Sequence, residues 1–163
     1  MLFLLKRAVR VFGKPFRVKI FRACVCTDGA VSVHLYNCVE LVEKLLSVVD
    51  YVLLDIKYTN DISYKENVGC SLSSALDFLE LLEEKNIKTT IRQVIIPTLN
   101  DTEENILKLK EIALSHKCVV KTELLPFKKI CQSKYDNMGI GFPLKDTDEP
   151  SRAKMEYLNS FLK

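Results

Sequence analysis

Apolar runs alternate with amphipathic segments along this chain, a pattern that favours an α/β protein. The clearest run is VVDYVLLDIK at 48–57, where apolar side chains are nearly continuous. Such a run predicts a parallel strand that is covered on both faces. Three further segments have the pattern of strands, at 18–26, 87–96 and 119–125.

Helical periodicity fills the intervals between these strands. The predicted helices cover 38–47, 75–86 and 102–116, with a short helix after Lys57 and a last helix after Ser151. The expected N-caps, whose side-chain oxygens accept backbone N–H bonds, are Asn37, Ser73 or Ser74, Asn100 or Asp101, and Ser151.

Strands that alternate with helices predict a parallel sheet with right-handed crossovers. A closed barrel of eight such units takes about 250 residues, whereas this chain has 163. Four strands that closed on themselves would leave no room for a core. We therefore predict an α/β fold, an open and partial (β/α) barrel of about four βα units.

The charge is unevenly distributed along the chain. Residues 1–22 hold seven of the 24 basic residues and no acidic one, so the remainder is net acidic although the whole chain carries +3. A basic arm of this kind is compatible with contact to nucleic acid or anionic lipid. Because basic and aromatic residues do not interleave along a platform, a nucleic-acid partner is disfavoured.

Nothing in the sequence indicates secretion or a membrane anchor. The apolar start at 1–5 is too short for a signal-peptide core, and no window reaches the length of a transmembrane helix. The six cysteines form no C-x-x-C pair, which indicates reduced thiols. We expect a cytoplasmic protein.

Polar side chains follow the predicted strands at their carboxyl ends, where parallel α/β folds bind ligands. Asp55 and Lys57 point to one side of the 48–57 strand, because side chains alternate. Arg92 shares a face with Val94 and Ile96; if that face is the barrel interior, its guanidinium needs Asp55 or a ligand carboxylate as partner. The alternatives are an ion pair that closes the strand end and an Arg92 that reaches solvent.

The other polar residues at strand ends are Thr27, Asp28, Thr98, Asn100, Lys128 and Lys129. Together these groups favour a site for an anionic or zwitterionic small molecule.

Four segments of the chain resemble the motifs of one family. They are DYVLLDIK, IRQVIIPTLNDTEENI, TELLPFKK and YDNMGIGFPLKD. In order and approximate spacing they are similar to the C-terminal part of the pyruvate formate-lyase activating enzymes, which belong to the radical S-adenosylmethionine (SAM) superfamily. The resemblance extends from about Cys24 to the C-terminus.

The resemblance implies a fold and a chemistry. The fold would be part of a radical SAM (β/α)₆ barrel without its N-terminal units. The family's cofactors are SAM and a [4Fe–4S] cluster, and its 5′-deoxyadenosyl radical abstracts hydrogen from a glycine of a glycyl-radical enzyme such as pyruvate formate-lyase. A reductant such as flavodoxin would be a further partner.

The resemblance also implies site residues. Asp55 and Lys57 match the D-[LI]-K motif that contacts SAM, and Thr27 with Asp55 matches part of a monovalent-cation site. Lys128 stands where the family has a SAM-contacting His, which replaces a flat ring by a point charge. With Arg92 from the strand pattern, the expected cofactor-binding residues are Asp55, Lys57, Arg92 and Lys128.

The chain also departs from the family pattern. It contains neither the C-x₃-C-x₂-C motif that binds the cluster nor the G-G-E motif that binds the SAM amino group. Cys26 stands where the family's D-T-N-G turn has Asp, which weakens the cation site. Because thiolates hold iron–sulfur clusters, we expect no iron–sulfur ligand in this chain and identify no catalytic residue.

Residues 1–22 do not resemble the family. We therefore divide the chain into a basic arm at 1–22 and a partial radical SAM barrel at 23–163. The main hypothesis is a truncated glycyl-radical-enzyme activase. The alternatives are a non-catalytic barrel fragment that binds a ligand or partner, and an α/β domain whose basic arm binds nucleic acid.

Overall fold

The computed structural model describes residues 46–47 and 49–163. The basic arm at 1–22, the predicted strand at 18–26 and most of the predicted helix at 38–47 lie outside the described residues. Thr27 lies outside them as well.

The described strands form one parallel sheet. Strand β1 covers Tyr51–Asp55, β2 covers Lys88–Ile95 and β3 covers Val119–Pro126, in the spatial order β1-β2-β3. Each parallel pair is joined by helical crossovers, as in βαβ units. The prediction of a partial β/α fold is confirmed over the described part of the chain.

Five helices connect or follow these strands in the described part. They are α1 (Asp61–Val68), α2 (Ser73–Glu84), α3 (Glu103–Leu114), α4 (Gln132–Asn137) and α5 (Arg152–Ser160). The short α4 was not predicted; it lies between β3 and α5, where the sequence analysis placed no helix. Within the described residues, no helix is both long and apolar enough to cross a membrane.

Of the three predicted N-caps that lie in the described part of the chain, one is confirmed and two are wrong. Ser151 caps α5 by accepting the N–H of Lys154 at 3.2 Å. A serine cap of α2 was wrong, because Ser73 is already helical and the N-cap position is Leu72. At α3 the cap is Thr102, not Asn100 or Asp101.

The core lies between the sheet and the helices. Alternate residues of β1 face it, so Val52 and Leu54 are buried whereas Tyr51 and Leu53 are half-buried. The second face of β1 is thus half-buried, and the strand begins at Tyr51 instead of Val48. The fully buried aliphatic side chains include Val52, Leu54, Ile56, Leu79, Leu82, Ile91, Ile95, Ile106, Leu109 and Leu158. Each such residue contributes about 1.5–3 kcal/mol through removal of apolar surface from water.

Candidate functional site

Three charged side chains meet at the carboxyl end of β1, beside the middle of β2. Asp55 lies directly opposite Arg92 in the parallel register, and the Arg92 Nε and Nη2 atoms donate to Asp55 Oδ1 at 2.9 and 2.6 Å. The Lys57 Nζ atom donates to the other oxygen, Oδ2, at 3.1 Å. We call Asp55, Lys57 and Arg92 the charged cluster. The sequence analysis predicted all three residues, and the structure brings them together.

The charged cluster has an excess of positive charge. One carboxylate stands between two cations, and the side chains of Asp55, Lys57 and Arg92 are 16, 27 and 13% exposed. The interpretation that Arg92 merely reaches solvent is thereby wrong. Since a lysine ammonium has three N–H donors and one points at Asp55, the cluster has donors left for an anionic ligand. Two cations held by one carboxylate can bind the carboxylate of a small molecule.

A second cluster, made of neutral amides, lies on the opposite face of β2. It consists of Gln93, Asn100 and Asn105, which are 1, 2 and 8% exposed; we call it the amide cluster. Asn105 Nδ2 donates to Gln93 Oε1 at 2.7 Å and to the Asn100 carbonyl at 2.8 Å. The Thr59 hydroxyl donates to Asn105 Oδ1 at 2.8 Å, which ties in the loop after β1.

Asn100 and Gln93 connect the amide cluster to the main chain of the charged cluster. Asn100 Nδ2 donates to the Lys57 carbonyl at 3.1 Å and to the Val94 carbonyl at 2.9 Å, while its Oδ1 accepts the Ile96 N–H at 2.7 Å. Gln93 Nε2 also donates to the Lys57 carbonyl, at 3.4 Å. The sequence analysis missed Gln93 and Asn105. An amide at a core-facing position between Ile91 and Ile95 was the signal that could have revealed Gln93.

The loop after β2 has a constrained backbone. Thr98 adopts a left-handed conformation with φ 68°, which is uncommon for a β-branched residue. The Asp101 carboxylate accepts the Thr98 N–H at 2.9 Å and holds this turn. Beside the loop is an open polar cleft of about 90 Å³, lined by Tyr58, Thr59, Asn60, Leu99, Asn100, Thr102, Glu104, Asn105 and Lys108.

Two predicted site residues are not part of the charged cluster as described. Lys128 lies in the loop after β3 and is exposed, and within the described residues no hydrogen bond or ion pair joins it to Asp55, Lys57 or Arg92. Its neighbour Lys129 donates to the Lys145 carbonyl at 2.5 Å. Thr27 lies outside the described residues, so the cation site that pairs it with Asp55 stays a prediction.

The described cysteines, Cys70, Cys118 and Cys131, form no disulfide with one another. Burial raises the pKa of the Cys118 thiol, and burial together with the nearby Asp61 carboxylate raises the pKa of Cys70. Such shifts disfavour the thiolate form that binds metals. Over residues 46–47 and 49–163, no group of three or more His, Cys, Asp or Glu side chains could hold a metal ion.

Comparison with known proteins identifies relatives of this chain by sequence identity. It matches no protein-family profile. A pyruvate formate-lyase-activating enzyme of Clostridium pasteurianum is 38% identical over 121 residues, which cover 74% of this chain and 51% of the relative. The pyruvate formate-lyase 1-activating enzyme of Escherichia coli (strain K12) is 33% identical over 148 residues, covering 87% of this chain and 59% of the relative. The chain is a homologue of pyruvate formate-lyase activating enzymes.

This homology confirms the resemblance drawn from the four motifs. The chain spans between 51 and 59% of the length of these two activating enzymes. The homology therefore concerns a part of each relative.

Solved structures show the same fold. A domain of a pyruvate-formate lyase-activating enzyme from Bacteroides vulgatus has a TM-score of 0.60 at 18% identity, covering 76% of this chain and 67% of that one. A radical SAM methyltransferase from Sphaerobacter thermophilus has a TM-score of 0.52 at 18% identity, covering 76% of this chain and 34% of that one. At this identity the likeness concerns the fold alone.

Proposed function

We propose that this chain forms the SAM-binding part of an activase that generates a glycyl radical on pyruvate formate-lyase or a related enzyme. The observation that supports this proposal is the charged cluster. The Asp and Lys of its D-I-K motif lie with Arg92 at the carboxyl end of β1, in a homologue of activating enzymes. A small molecule without a carboxylate or another anionic group would gain little from this site, because its two cations exceed its one carboxylate.

Each residue of the charged cluster has a proposed role toward SAM. Lys57 and Arg92 would bind the methionyl carboxylate, and Asp55 would hold both cations in place, since its two oxygens contact them separately. In the family, SAM supplies a 5′-deoxyadenosyl radical when it is bound at a reduced [4Fe–4S] cluster. Lys128, which is exposed, would be a further contact to SAM, as the family resemblance implies.

The iron–sulfur part of the chemistry requires residues other than the described cysteines. The sequence contains neither C-x₃-C-x₂-C nor G-G-E, and it spans little more than half of its relatives. We therefore propose that the chain is a truncated form, the C-terminal part of an activase. An upstream reading frame that encodes both motifs, in phase or one shift away from the Met1 codon, would support this. An upstream region without them would contradict it.

The remaining parts of the proposal follow the family. A glycyl-radical enzyme would be the partner, flavodoxin would be the reductant, and the compartment would be the cytoplasm. Within the chain, residues 1–22 would be an arm separate from the barrel part at 23–163. If so, deleting 1–22 leaves SAM affinity unchanged, and a large loss of affinity would contradict the division.

The SAM site can be tested with the full chain by titration calorimetry. SAM is compared with 5′-methylthioadenosine, which lacks the amino-acid group. We expect the wild-type chain to prefer SAM, and Lys57→Met to weaken SAM binding by about tenfold or more without affecting 5′-methylthioadenosine. Lys65→Met is the matched control, because Lys65 lies on α1 and pairs with Asp61. Equal affinity of the wild-type chain for both ligands would contradict the proposal.

A second candidate is a ligand-binding module without radical chemistry. The absence of C-x₃-C-x₂-C from the sequence favours it. Both candidates predict that the full chain alone binds no cluster after anaerobic reconstitution with iron and sulfide, so a stoichiometric [4Fe–4S] absorption would contradict both. The module also predicts a folded, soluble chain, and aggregation of the purified protein would count against it.

A further inference from the structure

Lys57 is the residue at which the charged cluster and the amide cluster meet. Its ammonium contacts Asp55, while its backbone carbonyl accepts hydrogen bonds from Asn100 Nδ2 at 3.1 Å and Gln93 Nε2 at 3.4 Å. The main chain from which the Lys57 side chain extends is therefore held by side chains of the neighbouring strand and its loop.

Beyond Ile56, side-chain hydrogen bonds replace the backbone hydrogen bonds that join β1 to β2. The Ile56 N–H donates to the Arg92 carbonyl at 2.9 Å, one residue beyond the end of β1. At Lys57 the carbonyl is held instead by the two amides. Because the Lys57 side chain has a limited length, the position of this backbone decides whether the ammonium reaches Asp55.

Asn100 is suited to fixing that backbone. It is 2% exposed, and its amide bonds three main-chain groups, those of Lys57, Val94 and Ile96. The left-handed Thr98 lies in the turn that brings Asn100 back against the strand ends. An uncommon backbone conformation of this kind persists where the surrounding contacts determine it, and such positions concentrate at functional sites.

We infer that Asn100, assisted by Gln93, is a positioning residue for Lys57 and thereby for the ligand carboxylate. The inference rests on the proposed function, because it makes Lys57 a ligand-binding group. Asn100 acts through the carbonyl of Lys57 and has no contact with the ammonium. Its side chain does not cap α3, since Thr102 has that role.

The first measurement needs no ligand. The folded full chain is treated with limiting acetic anhydride, and the acetylation rate of Lys57 is measured by mass spectrometry relative to Lys65 in the same sample. We expect Asn100→Ala to raise this ratio by about fivefold, because Lys57 leaves Asp55 when its carbonyl is released. Ser151→Ala is the control, since it removes the cap of another helix and touches no atom of Lys57. An unchanged ratio in Asn100→Ala would overturn the inference.

The second measurement uses SAM and 5′-methylthioadenosine. We expect Asn100→Ala to weaken SAM binding by about fivefold and to leave 5′-methylthioadenosine binding unchanged, whereas a merely structural role would affect both equally and overturn the inference. A wild-type chain that binds no SAM would refute the proposed function, while the acetylation ratio still decides the positioning of Lys57. If Asn100→Ala does not fold, Gln93→Met removes the other donor to the same carbonyl, and about a twofold change in the ratio is expected.

Discussion

The charged cluster and the amide cluster lie on opposite faces of the same strand ends and differ in burial. The amides Gln93, Asn100 and Asn105 are at most 8% exposed, whereas the three charged side chains are 13 to 27% exposed. Neutral amides can be buried once their hydrogen bonds are made, but buried ions carry a desolvation cost that pairing offsets only in part. The difference assigns stability to the amide cluster and leaves the charged cluster available to a ligand.

The largest effect is expected from breaking the amide cluster. Asn105→Ala removes the partner of Gln93 Oε1, of the Thr59 hydroxyl and of the Asn100 carbonyl, so the free energy of unfolding should fall by roughly 3 kcal/mol. Urea denaturation measures it. Asn67→Ala is the matched control, because Asn67 is an exposed residue of α1 that bonds only its own helix. Equal stability of Asn105→Ala and the wild type would remove the distinction between the clusters.

Breaking the charged cluster should cost less stability. Arg92→Met leaves Asp55 with Lys57 alone at a partly exposed site, and we expect a loss of about 2 kcal/mol. Arg152→Met is the control, since Arg152 is 93% exposed and its pairing is worth little. A loss in Arg92→Met as large as that in Asn105→Ala would mean that the charged cluster is also a structural element.

A pH series tests Asp61, a carboxylate outside both clusters that is held mainly by hydrogen bonds. Bonds from Lys65, the Ser71 hydroxyl and the Leu72 N–H lower the pKa of Asp61 to about 2 from the usual 3.8. Because the folded-state pKa lies below the unfolded one, the stabilisation is present above pH 4 or so and is lost as the pH falls to about 2. We expect wild type to melt a few degrees above Asp61→Asn at neutral pH, a difference that disappears near pH 2. A difference in melting temperature that stays constant over this range would contradict the assignment.

Asp55, Arg92 and Glu123 form a charged row across the three strands, and the smallest effect is expected at its exposed end. Glu123 lies opposite Arg92 in the β2–β3 register, yet it pairs with Lys121 at 2.5 Å, and the Lys121 side chain is 62% exposed. Because solvent screens such a pair, Lys121→Ala should change the melting temperature by about 1 °C or less. Thermal denaturation followed by circular dichroism measures it. A larger change would show that the row acts as one unit with Asp55 and Arg92.

The sequence was sufficient for the described strands, for the helices between them and for part of the site. Periodicity located β1, β2 and β3 and the helices between them, because strand and helix patterns depend on local order. Alternation along β1 put Asp55 and Lys57 on one side, and the need to pair a guanidinium linked Arg92 to Asp55. The strand at 18–26 and Thr27 remain predictions.

Tertiary structure decided what depends on contacts between distant residues. Several oxygens near the start of α3 could have capped it, and Thr102 does so because Asn100 is engaged by the strand ends. The sequence could not reveal that Gln93 and Asn105, which are 12 residues apart, form a hydrogen bond. Nor could it reveal that the side-chain amides of Gln93 and Asn100 both donate to the Lys57 carbonyl. The side-chain types and their periodic order were determined by the sequence, whereas the parallel pairing of β1 with β2 decided which side chains meet.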